Sequence, residues 1–394
     1  MQVLVFIGWV LMLLSCFGCG EKAGLDDLPR ILHASWQSYR QHSISPEGRV
    51  VLAERDGGTI SEAQAYALLR AVWAGDQETF ARVYAWTYIN LSRAGSHGDH
   101  LLAWHWGPRE DGAWGVLDWN SASDGDLDYT LALTLAARRG WRPPAPLPDY
   151  ATQARQVQQD ILAKEVATLP AGELLLLPGN WQPHQPPLLL NPSYFSPGTY
   201  RLLAQAFQEP RWLALRQDTY PLLKSLARGL GPLAGVGLFP DWCRLDAAGQ
   251  LAPAPGRNPD FGWEALRLPW RVALDSLWFG EKEAAALLAQ QFLPFIKKTW
   301  QSQGRLAAIY SYTGKPLATY ESPVIYAGVL AAALAAKDQD FARQMAGKIL
   351  SFYQEKDHQS YFATPDNYYA NNWAWLGLAL YAGWARNFEA GGGG

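Results

Sequence analysis

The sequence predicts an all-α fold, a ring or toroid of about a dozen helices connected by long loops. After residue 25, apolar residues recur at helical spacing, and no strand-like alternation of apolar and polar residues is sustained. Long irregular segments separate many of the helical ones. No low-complexity linker divides the chain and no internal repeat is evident, so a single domain is predicted over residues 25–388.

The helices follow from this periodicity and from local start and stop signals. Ser61 and Gln64 fit the N-cap and N3 positions of a capping box, and Ser123 with Asp126 repeats the pattern. Gly140, which follows two arginines, is typical of a helix end. The predicted helices span roughly 28–43, 61–73, 77–92, 97–104, 125–139, 148–167, 197–207, 209–228, 261–277, 281–299, 321–335, 338–355 and 371–384.

Residues 1–24 are predicted to be a signal peptide or lipoprotein signal. Residues 3–14 form an apolar run of signal-peptide length, which is short for a membrane span. Leu13–Cys16 resembles a bacterial lipobox, although the usual positive segment before the apolar run is missing. We expect export to the periplasm or the extracellular space, with a lipid anchor favoured over simple cleavage and a retained short anchor as the alternative. Residues 389–394 are predicted to be a Gly-rich tail.

Composition narrows the classes of partner. The chain has 394 residues, 49% of them hydrophobic, which is enough for a large core. A net charge of −3 without any run of Lys or Arg argues against nucleic acid as a partner. Cys243 is the one cysteine beyond the N-terminal segment, so no disulfide framework is possible. The 19 Trp and 18 Tyr exceed ordinary usage, and these flat side chains suit either core packing or stacking on sugar rings.

Three aspartates, Asp124, Asp126 and Asp128, crowd the start of one predicted helix. A calcium loop of the EF-hand type would require Gly and Glu where this chain has Tyr129 and Leu135, so that interpretation fails. Helix capping accounts for Asp126, and Asp128 is expected to face solvent or a neighbouring arginine. Asp124 follows an irregular loop, where functional groups collect, and is a candidate for chemistry. No metal site is predicted.

Two further carboxylates occupy similar positions. Glu62 lies in the first turn of a predicted helix, behind a pair of glycines, and Glu264 starts another helix. Arg267 and Arg271 follow Glu264 at i+3 and i+7, on one helix face. Three ordinary helix-dipole acids would give the same pattern, and only geometry can separate that interpretation from an active site.

Five stretches of the sequence form a pattern when taken together and in order. They are SEAQAYALLRAV, LLAWHWG with GAWGVLDWNSASDGDLDYTLAL, NPSYFSPGTYRLLA, WEALRLPWRVALD and YYANNWAWLGLAL. Together they resemble glycoside hydrolase family 8, over residues from about 45 to 385. The resemblance is nearest in style to the exported endoglucanases that accompany bacterial cellulose synthases. It implies an (α/α)6 barrel whose long loops form a glycan groove, and hydrolysis of β-1,4-linked glycans with inversion and without a cofactor.

The resemblance assigns roles to the three acids. Glu62 matches the general acid, and Asp124 matches the acid that holds the sugar at the cleavage subsite and helps to place the water. Glu264 matches the general base, where the family usually has Asp preceded by Tyr, whereas this chain has Trp263 before Glu264. Arg267 matches the family's arginine whose expected task is to orient the base.

The proposed mechanism sets physical requirements. An inverting pair lies about 6.5–9.5 Å apart, which leaves room for one water. The acid must be protonated when the substrate binds, so we expect the pKa of Glu62 to be raised by Asp124 and by the apolar walls of Trp114 and Trp119.

Aromatic side chains near the loop–helix junctions are predicted to bind the glycan together with Arg267, although each of them also fits the core. Those predicted to bind substrate are Tyr66, Trp104, Trp106, Trp119, Tyr194, Trp242 and Tyr369.

The leading hypothesis is an exported, monomeric endo-β-1,4-glucanase that trims glucan during cellulose synthesis, with the cellulose synthase complex as a candidate partner. The same chemistry on xylan, chitosan or mixed-linkage glucan stays open. A chitosanase would be expected to carry extra acidic groups for its cationic sugar, and the loops show no such surplus. A glucan-binding accessory protein with little turnover is the alternative from another class, because of the unusual Glu264.

Overall fold

A computed structural model describes residues 24–389, and it confirms the predicted helical class. Within that range the helices follow one another along the whole chain, with irregular segments between them. They are α1 (Leu28–Ser43), α2 (Ser61–Ala74), α3 (Gln77–Leu91), α4 (Ala94–His97), α5 (Ser123–Arg138), α6 (Tyr150–Lys164), α7 (Pro197–Phe207), α8 (Arg211–Arg228), α9 (Leu268–Phe279), α10 (Lys282–Leu287), α11 (Leu293–Gln303), α12 (Pro323–Ala335), α13 (Gln339–Leu350) and α14 (Tyr368–Tyr381).

Six of the helices in residues 24–389 form a closed inner ring. Each packs against the next in the order α2, α5, α7, α9, α12 and α14, and α14 returns to α2. Residues on almost every side of these helices are buried, as in α2 and α5, and α12 is apolar and buried over nearly its whole length. A helix that is hydrophobic all round must be enclosed by others, which explains why they form the inner layer.

The remaining long helices form an outer layer around this ring. Helices α1, α3, α6, α8 and α13 each pack on an inner helix that is adjacent in the chain, and α11 packs on α12. Their buried residues follow one stripe, as in α1, where Ile31, Leu32, Trp36 and Tyr39 face inward. The chain therefore alternates between outer and inner helices, which gives a double-walled helical barrel.

Short strands occupy the loops, where the sequence analysis expected no strands. The described strands have two to five residues each, too few for an alternating pattern to be detected in the sequence. They are β1 (Thr59–Ile60), β2 (His105–Pro108), β3 (Trp114–Asp118), β4 (Val166–Thr168), β5 (Leu174–Leu176), β6 (Leu188–Leu190), β7 (Gly229–Leu230), β8 (Leu233–Ala234), β9 (Cys243–Leu245), β10 (Leu251–Pro253), β11 (Tyr353–Lys356) and β12 (Gln359–Phe362).

The strands pair in small antiparallel sheets at the ends of the barrel. One sheet has the order β1-β2-β3 and another has the order β10-β9-β6. The first sheet places Thr59, at the entry of α2, opposite Trp106. It therefore ties the start of an inner helix to the loop that leads into α5.

Several predicted helix boundaries were wrong. The helix predicted at 97–104 is the short α4, which ends at His97, and the helix predicted at 338–355 ends at Leu350 before β11. The helix predicted at 281–299 is interrupted by a π-helical turn over Leu288–Phe292. The helix predicted at 261–277 begins later, with a 3₁₀ turn over Ala265–Arg267.

Both predicted capping boxes were wrong, because their side chains reach other parts of the chain. The Gln64 side chain accepts from Val50 N and donates to Thr87 Oγ1 (2.8 Å), deep in the core. Asp126 accepts from the backbone N–H of Leu102 at 2.8 Å. The stop at Gly140 is as predicted, with a positive φ of 73° that favours glycine.

The predicted signal over residues 1–24 and the Gly-rich tail over residues 389–394 lie outside the described residues, apart from Gly24 and Glu389. Within the part that the structure describes, no helix has the length and apolar character needed to cross a membrane.

Candidate active site

The first turns of four inner helices meet at one end of the barrel. Glu62 lies in the first turn of α2, Asp124 in that of α5, Arg267 directly before α9, and Tyr368 at the start of α14. Hydrogen bonds among these side chains bring the four helix ends together. The predicted convergence of Glu62, Asp124 and Glu264, which are far apart in the sequence, is therefore what the structure shows.

Arg267 lies at the centre of this group. Its Nη1 donates to Asp124 Oδ2 at 2.9 Å and also contacts Glu62 Oε2, while its Nη2 contacts Glu264 Oε2. The arginine side chain is only 2% exposed. A planar guanidinium with a fixed set of donors can hold several carboxylates at once, so Arg267 fixes the relative positions of all three acids.

Glu264 is the most accessible of the three acids, with 35% of its side chain exposed. Asn191 Nδ2 donates to Glu264 Oε2 at 3.0 Å, and Arg267 contacts the same oxygen. No donor within residues 24–389 bonds the other oxygen, Oε1. One carboxylate oxygen is thus anchored, and the other is available to a water in the cleft.

Glu62 is held in the state that a general acid needs. Burial raises its pKa to about 7, and the nearby charges of Asp124 and Glu264 act in the same direction. Arg267 and the Tyr368 hydroxyl, which donates to Glu62 Oε1 at 2.7 Å, oppose this rise without cancelling it. The carboxyl group is therefore protonated in a large fraction of molecules near neutral pH.

These residues lie in a cleft of about 400 Å³. Its walls combine acidic, basic and aromatic side chains, as expected of a site that binds a polar ligand with apolar faces. The lining residues are Arg55, Ile60, Ser61, Glu62, Trp104, Ala122, Asp124, Tyr194, Trp263, Glu264, Arg267, Asn367, Tyr368 and Tyr369.

Three of the predicted aromatic residues line the cleft: Trp104, Tyr194 and Tyr369. The Tyr194 ring lies 5.2 Å from the Arg267 guanidinium carbon, and the Tyr369 hydroxyl donates to Trp263 O. Trp263, which the sequence analysis did not propose as a binding residue, also lines the cleft with 40% of its surface exposed.

Four other predicted binding residues lie outside this lining. Tyr66 is fully buried, 3.5 Å from Arg267 Nη1, so it supports the arginine from below rather than contacting a sugar. Trp106 packs on Trp86 and Trp114, Trp119 packs on His97, and Trp242 lies beside Tyr194.

The expectation that Trp114 and Trp119 wall in Glu62 was also wrong. Trp114 lies in β3 and Trp119 lies just beyond it, and both are among the exposed large apolar residues rather than in the cleft lining. Trp104, Tyr368 and Tyr369 line the cleft with Glu62 instead, and of these Tyr368 donates a hydrogen bond to Glu62.

The other two clustered aspartates are structural. Asp128 is buried and forms a two-pronged ion pair with Arg271, at 2.6 and 2.7 Å. Of the two expected environments, a neighbouring arginine or solvent, the structure therefore shows the arginine. Asp126 is buried against Glu165, whose charge adds to the effect of burial and raises the pKa of Asp126. No set of three His, Cys, Asp or Glu side chains in residues 24–389 is arranged to hold a metal ion.

The sequence analysis missed Asn191, Ser193 and Tyr368. Ser193 Oγ accepts from Arg267 Nη2 at 2.9 Å, and Asn191 Oδ1 in turn accepts from Ser193 N and Oγ. Both residues fall in the quoted NPSYFSPGTYRLLA stretch, and Tyr368 adjoins Tyr369 in YYANNWAWLGLAL. Attention to acidic residues and to stacking aromatic rings passed over the amide of Asn191 and the hydroxyl groups of Ser193 and Tyr368 as hydrogen-bond partners.

Comparison with known proteins is consistent with this site. The family model described as "Glycosyl hydrolases family 8" matches residues 1–381. The chain belongs to this family. It is therefore a glycoside hydrolase, and its double-walled ring is the (α/α)6 barrel that the resemblance implied.

Named relatives support the same assignment. Endoglucanase A of Acetivibrio thermocellus is 27% identical over 371 residues, covering 91% of this chain and 70% of that protein. An endoglucanase of Salmonella typhi is 31% identical, over 75% of this chain and 74% of that protein. Among solved structures, the endo-1,4-D-glucanase from Vibrio fischeri ES114 has a TM-score of 0.71 at 25% identity, covering 88% of this chain and 94% of that one.

Proposed function

We propose that this glycoside hydrolase is an endo-β-1,4-glucanase that cleaves its substrate with inversion at the anomeric carbon. The observation that carries the proposal is the contact of one buried arginine, Arg267, with Glu62, Asp124 and Glu264 at the floor of an open cleft. Similarity to relatives named as endoglucanases, and to the endo-1,4-D-glucanase from Vibrio fischeri, supports a 1,4-linked glucan as the substrate.

Glu62 is the general acid in this mechanism. With its pKa near 7 it carries a proton when the substrate binds, and it transfers that proton to the glycosidic oxygen as the bond to the anomeric carbon breaks. The leaving sugar departs as a neutral hydroxyl, and Glu62 becomes a carboxylate beside Arg267, which stabilises the new charge.

Glu264 is the general base. Its Oε1 takes a proton from a water as the water oxygen bonds to the anomeric carbon from the opposite face of the sugar. Asn191 and Arg267 hold Oε2, so the longer Glu side chain is fixed at one oxygen. This anchoring offsets the extra methylene relative to the Asp that is usual in the family. Asp124 contributes an acceptor for a sugar hydroxyl and a charge that stabilises the oxocarbenium-like transition state.

A substrate panel with anomer detection tests the proposal. Carboxymethyl cellulose, mixed-linkage β-glucan, xylan and chitosan would be incubated with the enzyme, and the first-formed anomer would be followed by NMR. We expect the fastest release of reducing ends from the β-1,4-glucan, with the α-anomer formed first. A β-anomer as first product, or binding without release of reducing ends, contradicts the mechanism, and faster cleavage of xylan or chitosan contradicts the substrate.

We also propose that the protein is exported and trims glucan during cellulose synthesis. The apolar run and the lipobox-like Leu13–Cys16 support export, and the resemblance to endoglucanases that accompany cellulose synthases supports the role. Fractionation of producing cells, with a Cys16→Ser variant as the control for lipid anchoring, tests the first part. Unchanged cellulose output and crystallinity after deletion would contradict the second.

A further inference from the structure

Asp241, which lies outside the cleft lining, holds the backbone segment that carries Glu264. Asp241 Oδ1 accepts from Gly262 N at 3.1 Å and from Ala265 N at 2.7 Å, so one oxygen joins the backbone on both sides of Glu264. Its other oxygen, Oδ2, accepts from Asn258 Nδ2 at 2.9 Å. The Asp241 residue is only 4% exposed.

The same segment is held at two further points. The Tyr369 hydroxyl donates to Trp263 O, and Arg267 Nε donates to Glu264 O at 3.3 Å. Residues 262–265 are therefore fixed by side chains at successive positions. Asp241 accepts from the N–H groups at the two ends of this segment, while Tyr369 and Arg267 donate to the two carbonyls between them.

Burial of the charged Asp241 carboxyl group is energetically unfavourable unless its hydrogen bonds offset the loss of hydration. No ion pair within the described chain involves Asp241, and burial, with the nearby Glu264 charge, raises its pKa to about 6. At neutral pH a buried carboxylate thus lies close to a second carboxylate. Gly262 is adapted to this contact, because a Cβ at that position would lie 2.4 Å from Asp241 Oδ2.

We propose that Asp241 is a positioning residue for the general base: through its hydrogen bonds to the backbone of Gly262 and Ala265 it fixes the position of the Glu264 carboxylate in the cleft. This inference rests on the proposed function, in which Glu264 is the base. Asp241 lies behind the cleft and does not touch substrate, so its effect on the reaction is indirect. Misplacement of a catalytic group by about 1 Å can lower a rate by about a hundredfold.

Substitutions at Asp241 distinguish positioning from proton transfer. Asp241→Ala removes both backbone contacts, and we expect kcat on carboxymethyl cellulose to fall by about a hundredfold, with KM changed less than about threefold. Asp241→Asn keeps an oxygen that accepts from Gly262 and Ala265. Its side-chain NH2 group then faces the NH2 group of Asn258, so the hydrogen bond between the two side chains is lost. We expect a loss of about tenfold, the value of one hydrogen bond.

A swapped pair provides the rescue. In Asp241→Asn combined with Asn258→Asp, donor and acceptor are exchanged and the contact is restored, so we expect kcat to return to within about threefold of wild type. If Asp241 were itself the base, Asn at this position would be as inactive as Ala and the swap would not restore activity. Gly262→Ala, which leaves every carboxylate in place, is expected to lower kcat as Asp241→Ala does.

Asp246 supplies a matched control. It directly follows β9, which Asp241 precedes, and it accepts from Ala248 N at 3.0 Å and Gln250 N at 2.8 Å, much as Asp241 accepts from Gly262 N and Ala265 N. Asp246→Ala is expected to leave kcat unchanged. Equal kcat losses in Asp246→Ala and Asp241→Ala, or full activity in Asp241→Ala and Gly262→Ala, would overturn the inference.

Glu264→Ala separates this inference from the proposed function. An active Glu264→Ala enzyme contradicts the assignment of the base and with it the proposed function. An inactive Glu264→Ala enzyme together with a fully active Asp241→Ala enzyme contradicts only the positioning role.

Discussion

Asp128 and Arg271 form a two-pronged ion pair, at 2.6 and 2.7 Å, one helical turn below the contact between Asp124 and Arg267. The lower pair joins α5 to α9 and the upper pair joins α5 to the turn directly before α9, and α5 and α9 are separated in the inner ring by α7. The two ion pairs therefore cross the interior of the barrel, the upper one in the cleft and the lower one beneath it. Residues four apart lie on the same helix face, which accounts for the repeat.

Breaking the lower pair is expected to destabilise the fold. Asp128→Ala leaves the buried Arg271 charge without its partner, and we expect the free energy of unfolding to fall by about 3–5 kcal/mol. Chemical denaturation at neutral pH measures this change. The double variant Asp128→Leu with Arg271→Met, which removes both charges, is expected to recover at least part of the loss. A single variant as stable as wild type would contradict the prediction.

Arg267→Lys is expected to inactivate the enzyme while leaving it folded. Lysine keeps the charge but cannot hold three carboxylates with a planar fork of donors, so we expect kcat to fall by at least about a hundredfold. Initial rates on carboxymethyl cellulose and the melting temperature would be compared with those of Arg244→Lys, an exposed arginine in β9. Near-normal turnover in Arg267→Lys would contradict the prediction, because it would show that a single positive charge is enough to hold the three carboxylates in place.

Glu62→Gln is expected to lose activity and to gain stability at neutral and alkaline pH. The pKa of Glu62 rises from an ordinary 4.5 to about 7 in the folded protein, so the folded state binds its proton more tightly than the unfolded state does. Wild type therefore loses stability as pH rises from about 4.5 to about 7, by an amount on the order of 3 kcal/mol, and glutamine does not.

Two measurements check this prediction for Glu62. Unfolding free energies of wild type and Glu62→Gln would be compared from pH 4 to pH 9, with the difference expected to grow through that window and to level off above about pH 7. The pH–rate profile of wild type is expected to decline on its alkaline side from about pH 7, because the acid loses its proton. Equal stabilities at all pH values, or a variant that still cleaves cellulosic substrates, would oppose the assignment.

Trp104→Ala is expected to weaken substrate binding. Trp104 lines the cleft, and loss of its stacking on a sugar ring should raise KM by about tenfold with a smaller effect on kcat. Trp181, which is 41% exposed and lies outside the cleft lining, provides the control variant Trp181→Ala. Oligosaccharides of increasing length would show whether the loss of affinity belongs to one subsite.

The sequence was most informative where helical periodicity and a family pattern coincide. Glu62 and Asp124 lie in the first turns of inner helices and Glu264 lies just before another, and the inner helices fold so that those starts meet. The all-α class follows from the same periodicity.

The errors came from interactions between segments that are distant in the sequence. The side chains of Gln64 and Asp126 match a capping pattern, but tertiary partners, Val50 and Leu102, take them instead. Trp106 and Trp119 lie in the same Trp-rich stretch of sequence as Trp104. Only the packing of β2 and β3 determines that Trp104 lines the cleft and that the other two lie outside its lining. Short strands in loops leave no periodic trace in the sequence.

Closure of the inner ring has a consequence for biosynthesis. Tyr368 comes from α14, the last helix in residues 24–389, and donates to Glu62 in α2, the first helix of the ring. A chain emerging from the ribosome cannot complete its catalytic centre until α14 has docked on α2. We therefore expect prematurely terminated products to be inert towards glucan, so that hydrolysis starts only after synthesis of the whole polypeptide.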